Sequence, residues 1–144
     1  MEFLWGIKGE AVVNDAFIVR TRVFVDEQGF SIECELDDID NTALHIVGYN
    51  DLHKPVCAAR IFKTGGDTYH AGRIAVDKSL RGQGVGRKLI NQIIIKVKEL
   101  GGTKIELDAQ YDKAAFYEKC GFVRTGKETL DEGYKHVGMV ISLI

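Results

Sequence analysis

The sequence predicts an α/β domain built on a mixed sheet, with the order β-α-(α)-β-β-β-α-β-α-β-β. Three observations carry that prediction. Three apolar runs separated by turn residues fill the middle of the chain. Gly84–Leu100 then places apolar residues at four-residue steps, and beyond Gly101-Gly102 the pattern turns to strict alternation. A chain of 144 residues that is 45% hydrophobic and 28% charged has the size of one ordinary domain, and can bury roughly two-thirds of its unfolded surface without a staple. A single domain over residues 1–144 is therefore expected.

Residues 2–8 read as a first strand. From Ala11 to Val25, the residues Val12, Ala16, Val19 and Val23 recur at helical spacing, which predicts an amphipathic helix. Glu27 to Asn41 crowds Glu33, Glu35, Asp37, Asp38 and Asp40 together with little periodicity, and reads as a loop with one helical turn. Ala43–Tyr49, Val56–Phe62 and Thr68–Val76 form an antiparallel meander, its second connection the hairpin-type Thr64-Gly65-Gly66-Asp67. In the long helix Val85, Leu89, Ile93 and Val97 form the apolar stripe, Arg87, Lys88, Gln92, Lys96 and Glu99 face outward, and Gly101-Gly102 ends it. Ile105, Leu107 and Ala109 alternate along a strand. A short helix from Asp112 to Cys120 ends at Gly121, and strands at Phe122–Thr125 and His136–Leu143 flank the turn Asp131-Glu132-Gly133.

Composition excludes several functions. Nineteen basic against 21 acidic residues give a net charge of −2, which argues against a nucleic-acid partner, since that needs a basic face. The apolar stretches fall far short of the ~20 residues that span a bilayer, and the N-terminus does not read as a signal peptide, so a cytoplasmic protein with no membrane partner is expected. Cys34, Cys57 and Cys120 form no C-x-x-C pair, so they read as idle thiols and no metal is expected.

Chemistry concentrates in Gly72-Arg73-Ile74-Ala75-Val76-Asp77-Lys78-Ser79-Leu80-Arg81-Gly82-Gln83-Gly84-Val85-Gly86-Arg87. A strand runs into a turn with three alternating glycines, and a helix begins at once. Such a turn lets backbone N–H groups approach an anion beside a helix dipole, and Arg81, Arg87 and Lys88 add positive charge. The spacing excludes a Rossmann fingerprint, because Arg87 stands where its third glycine belongs. It also excludes a P-loop, because Gly86 is not followed by Lys-Ser/Thr.

Arg81, Gly84 and Gly86 match the Arg/Gln-x-x-Gly-x-Gly/Ala loop of the GNAT superfamily of acyl-CoA-dependent N-acyltransferases, which this sequence resembles over nearly its whole length. A second match, Ala115-Phe116-Tyr117-Glu118-Lys119-Cys120-Gly121-Phe122, looks like that family's Phe-Tyr-x-Lys-x-Gly-Phe helix. Arg20-Thr21-Arg22-Val23-Phe24-Val25-Asp26-Glu27-Gln28, Ala43-x-His45 and Gly133-Tyr134-Lys135-His136-Val137-Gly138-Met139 are similar to its ElaA-like branch. Leu80 stands where many relatives carry a second arginine, and Gln110 where they carry an asparagine.

The resemblance implies acetyl-CoA as cosubstrate and a small-molecule amine acceptor. It also implies a splayed central sheet, with the thioester between the Ile74–Val76 and Lys104–Ala109 strands. Coenzyme contacts are then expected from Ile74, Ala75, Val76, Arg81, Gly82, Gln83, Gly84, Val85, Gly86, Arg87, Gln110 and Phe116. Tyr117 is the candidate general acid for the departing thiolate and His136 the candidate base, with Glu27 or water as the alternative; His45 reads as structural. The acidic group from Glu33 to Asp40 reads as a solvated loop, or else as an attractor for a cationic amine, whereas Arg20, Arg22 and Arg73 would favour an anionic acceptor. Homodimers are common on this fold. The alternative function is a CoA-binding sensor or interaction module without turnover.

Overall fold

The computed structural model describes the backbone of all 144 residues and every side chain except those of Glu33 and Cys34, so the readings of those two fall outside the described side chains. In order come β1 (Glu2–Gly6), α1 (Ala11–Arg20), a π-helical segment (Thr21–Glu27), α2 (Ile32–Glu35), β2 (Leu44–Tyr49), β3 (Pro55–Gly65) and β4 (Thr68–Val76). Then follow α3 (Val85–Glu99), β5 (Lys104–Gln110), α4 (Ala114–Lys119), β6 (Val123–Asp131) and β7 (Tyr134–Ser142). The strands make an open seven-stranded sheet in the order β1-β2-β3-β4-β5-β7-β6. It is mixed: β4 runs parallel to β5, with Thr68–His70 opposite Lys104–Glu106, whereas β1–β2, β2–β3, β5–β7 and β6–β7 are antiparallel. The α/β class and the element order are those the sequence predicts.

The chain divides into two compact units, one of Met1–Phe62 with Arg73–Gln92 and one of Lys63–Gly72 with Ile93–Ile144. In the first, Ala16 and Val19 of α1, Val23, Val47, Tyr49, Ala58 and Ala75 form a core cluster, with Val12 and Phe24 packed against it. Fully burying a valine such as Val19 or Val47 contributes about 1.5–3 kcal/mol. The predicted helix to Val25 is α-helical only as far as Arg20. It continues with wider turns, in which the Gln28 N–H reaches the Val23 carbonyl at 3.1 Å. Three β-branched residues, Thr21, Val23 and Val25, lower the α-helical preference there.

The second unit is built on β5, whose Ile105, Leu107 and Ala109 are buried in alternation. β7 begins at Tyr134, two residues before the predicted start. β6 reaches Asp131, six residues beyond the predicted Phe122–Thr125 strand; all nine of its residues are exposed, so it carries no inward-outward alternation to read. Among the described residues no helix is long and apolar enough to cross a membrane.

Candidate active site

β4 enters the glycine-marked segment with a distortion. Arg73 has φ 50° in mid-strand, a left-handed conformation that costs a non-glycine residue on the order of 1–3 kcal/mol. Beyond it the alternation resumes: Ala75 is buried in the core cluster, while Ile74 and Val76, on the opposite side of the strand, are half-buried. A 3-10 turn at Lys78–Leu80 follows, closed by Leu80 N–H to the Asp77 carbonyl at 2.9 Å.

Gly82 and Gly84 then adopt φ 80° and 79°. A Cβ at either would meet no atom within 4 Å, so the backbone angle rather than packing demands glycine, and the space beside the main chain is open. Arg81–Gly84, Arg87 and Lys88 are exposed, while Val85 is buried and anchors the start of α3. The Lys88 N–H bonds back to the Gly84 carbonyl at 3.2 Å. The N–H groups of Val85, Gly86 and Arg87 precede it in the first turn, without helical acceptors and at the positive end of the dipole of a 15-residue helix. Gln83 braces the turn through a 3.2 Å bond from its amide to the Ser79 carbonyl. Room beside bare backbone, unpaired N–H groups and nearby cations together fit a diphosphate.

Arg81, expected at that anion, points its guanidinium elsewhere. Nε and Nη2 donate to the Val76 carbonyl at 3.2 and 3.0 Å. Nη1 and Nη2 donate to the Glu27 carboxylate, the latter at 2.7 Å. Glu27, the alternative base, is therefore ion-paired. One π turn earlier, Arg22 Nη1 meets Asp77 Oδ2 at 3.0 Å.

In the second unit, Gln110 and His136 are direct partners in the β5–β7 register, which puts their side chains on one face with Cβ atoms about 5 Å apart. His136 Nδ1 lies 3.0 Å from the Tyr134 carbonyl. A carbonyl only accepts, so Nδ1 carries the hydrogen and Nε2 of the neutral ring keeps its lone pair. Tyr117, on α4, is 8% exposed and packs edge-on with Phe116 at 5.1 Å and Phe122 at 6.0 Å. Burial, with a smaller contribution from Cys120, pushes its hydroxyl pKa up, so it stays a donor across the neutral range. Among the described residues no three His, Cys, Asp or Glu side chains converge to hold a metal.

An acetyltransferase (GNAT) domain family matches residues 16–143. The chain belongs to the GNAT acetyltransferases. Bacillus subtilis YjcF, named as an uncharacterized N-acetyltransferase, is 38% identical over 134 residues, covering 92% of this chain and 94% of YjcF. Escherichia coli ElaA superposes with TM-score 0.85 at 26% identity, over 97% of this chain and 98% of ElaA. An aminoglycoside 6′-N-acetyltransferase complexed with coenzyme A shares the fold, with TM-score 0.76 at 15% identity over 100% and 98% of the two chains.

In this GNAT acetyltransferase three acids of that segment, Glu35, Asp37 and Asp40, are paired with arginines instead of facing water alone, whereas Asp38 is exposed as a solvated loop would have it. Arg20, fully buried, donates from Nε to Glu35 Oε1 at 2.6 Å, from Nη1 to Asp40 Oδ1 at 2.7 Å and from Nη2 to the Glu35 carbonyl at 2.9 Å. Arg60 Nη1 bridges Asp37 Oδ1 at 2.6 Å and Asp40 Oδ1 at 2.7 Å. Arg73 reaches the Glu35 carbonyl at 3.0 Å and Asp37 Oδ2 at 3.3 Å. Three guanidinium groups thus face three carboxylates, and their charges offset one another.

Burial raises the Asp40 pKa, but the hydrogen bonds and charges of Arg20 and Arg60 outweigh it and hold that carboxyl at about 2. His45 is fully buried, with Nε2 3.1 Å from the Asp40 carbonyl. Burial lowers its pKa more than that contact raises it, which keeps the ring neutral. Arg60 was not apparent as a site residue in the sequence; its one signal is a lone cation within the apolar run Val56–Phe62.

Proposed function

We propose that residues 1–144 act as a single cytoplasmic domain that transfers an acetyl group from acetyl-CoA to the amine of a small molecule. The observation that carries this reading is the exposed, left-handed glycine turn at the start of α3, with open space beside Gly82 and Gly84. There the N–H groups of Gly82, Gln83, Gly84, Val85 and Gly86 would hold the diphosphate, and Arg87 would add charge. Ile74, Ala75 and Val76 would offer backbone to the pantetheine arm, with Gln110 and Phe116 as further contacts. The coenzyme supplies an activated thioester.

The chain's own residues meet the three demands of the reaction. Nε2 of His136, left with its lone pair by the Nδ1 contact to the Tyr134 carbonyl, accepts the proton that the attacking amine must lose. The Val76 N–H stabilises charge developing on the acyl oxygen, worth on the order of 3 kcal/mol for such a donor. Tyr117 hydrogen-bonds the departing sulfur; because a thiol of pKa about 8.5 is already a fair leaving group, this donor assists rather than decides.

Incubation with acetyl-CoA, a panel of amines and a thiol-reactive dye tests the reading. Acceptor-dependent thiol release is expected. Release no greater than the acceptor-free blank overturns the enzyme assignment, and tight CoA binding in that case would point to the non-catalytic module. Calorimetry with CoA and ATP side by side should show the tighter binding for CoA.

A further inference from the structure

The segment after β4 is held from outside by the π-helical turn. Arg22 and Glu27 are five residues apart. On an α-helix, at about 100° per residue, they would diverge by about 140°, whereas i→i+5 geometry brings them onto one side. From that side they meet two residues of opposite sign on the 76–81 turn, Arg22 with Asp77 and Glu27 with Arg81. Arg81 then closes the turn on itself by donating twice to the Val76 carbonyl. The other end of that peptide is also fixed, because the Asp77 N–H donates to the Val56 carbonyl at 2.8 Å. Both hydrogen-bonding edges of the Arg81 guanidinium are thereby engaged, one on a carboxylate and one on a carbonyl.

We propose that the π-helical turn positions the end of β4, with Glu27 and Arg81 forming a clamp on the Val76–Asp77 peptide. Arg81 is then a positioning residue rather than a diphosphate ligand, and Glu27 anchors it rather than serving as the base. The clamp sits between Val76, whose N–H would face the acyl oxygen, and Gly82, the first residue of the glycine turn, so it fixes both at once. Its catalytic consequence rests on the acetyl-CoA reading above; its existence does not.

Two sets of measurements separate these points. In the CoA-free protein, NMR should show an Arg81 side-chain Nε–H protected from solvent exchange, and Glu27→Ala should abolish that protection. Unchanged protection in Glu27→Ala overturns the clamp whether or not the protein binds CoA. For the wild type and for Glu27→Ala, Arg81→Ala and the double variant, kcat and the CoA dissociation constant are then compared. Each single change should lower kcat about 10-fold, the double no further than either alone, as expected for one interacting unit, while CoA affinity moves less than about 3-fold. Glu27→Gln should keep the acid limb of the pH–rate profile. Loss of that limb would make Glu27 the base, and a CoA dissociation constant raised about 10-fold or more by Arg81→Ala alone would make Arg81 a phosphate ligand; either result overturns the proposal. A wild type that binds no CoA would sink the function proposed above and leave the NMR comparison to judge the clamp.

Discussion

Two sets of arginine–carboxylate pairs serve this protein in opposite ways. The set formed by Arg20, Arg60 and Arg73 with Glu35, Asp37 and Asp40 centres on groups that are nearly or fully buried, with Arg20 at 0%, Glu35 at 3% and Asp40 at 5% exposure. The pairs Arg22–Asp77 and Glu27–Arg81 are partly open to water. Inside, Arg20, Arg60, Glu35 and Asp40 depend on their partners, because an abandoned charge there has no solvent to turn to, while Arg73 and Asp37 lie at the rim of the set. Outside, solvent screens the attraction and the pair contributes geometry more than energy. Burial, and not the identity of the charged groups, decides whether such a pair governs stability or position.

Breaking the interior set should give the largest effect. Arg20→Met leaves Glu35 and Asp40 short of a buried partner, and urea denaturation should show a loss of about 3–5 kcal/mol. A loss smaller than that of an exposed pair would erase the distinction. Acid probes the same cluster without mutation. Asp40 has its folded pKa depressed to about 2 from an ordinary 3.8, so its contribution is complete above about pH 4 and disappears as pH falls toward 2, on the order of 2 kcal/mol in all. His45, held neutral by burial, adds an earlier decline, because only the unfolded chain takes up its proton once pH drops below about 6.5. Stability measured against pH should therefore fall in two stages, and Asp40→Asn should flatten the lower one.

The exposed region should answer through ligand rather than stability. Gly84→Val places a branched side chain beside the open main chain at φ 79° and should raise the CoA dissociation constant at least ~10-fold, roughly 1.4 kcal/mol, as read by calorimetry on the folded variant. Unchanged affinity would count against the diphosphate turn. Arg22→Ala, at the mildest end, should cost less than about 1 kcal/mol in the same urea experiment.

Local patterns made much of this legible in the sequence. The stripe Val85, Leu89, Ile93 and Val97, the alternation Ile105, Leu107 and Ala109 and the glycines at 82 and 84 each act through neighbours within a turn or a strand, so spacing alone reveals them. The ionic cluster was not legible, because Arg20 lies 15 and 20 residues from Glu35 and Asp40, and Arg73 reaches back 38 residues to the Glu35 carbonyl. Nothing local distinguishes a carboxylate awaiting a distant arginine from one facing water. The π turn was hidden differently. Its apolar residues satisfy an α-helical pattern as far as Val25, and what departs from that pattern, the i→i+5 backbone bond and the pairing of residues 22 and 27 with residues 77 and 81, leaves no mark in the spacing. Likewise, β6 beyond Thr125 offers a polar surface on both sides, which reads as loop.

Arg73 keeps a side chain the protein uses on a backbone that suits glycine better. An engineer choosing residues by conformational preference would put glycine there and gain a relaxed strand. That choice would leave two guanidinium groups to neutralise three acids and remove the tether from β4 to the α2 region. The local discomfort at position 73 is thus inseparable from the electroneutrality of the interior, and improving the one degrades the other.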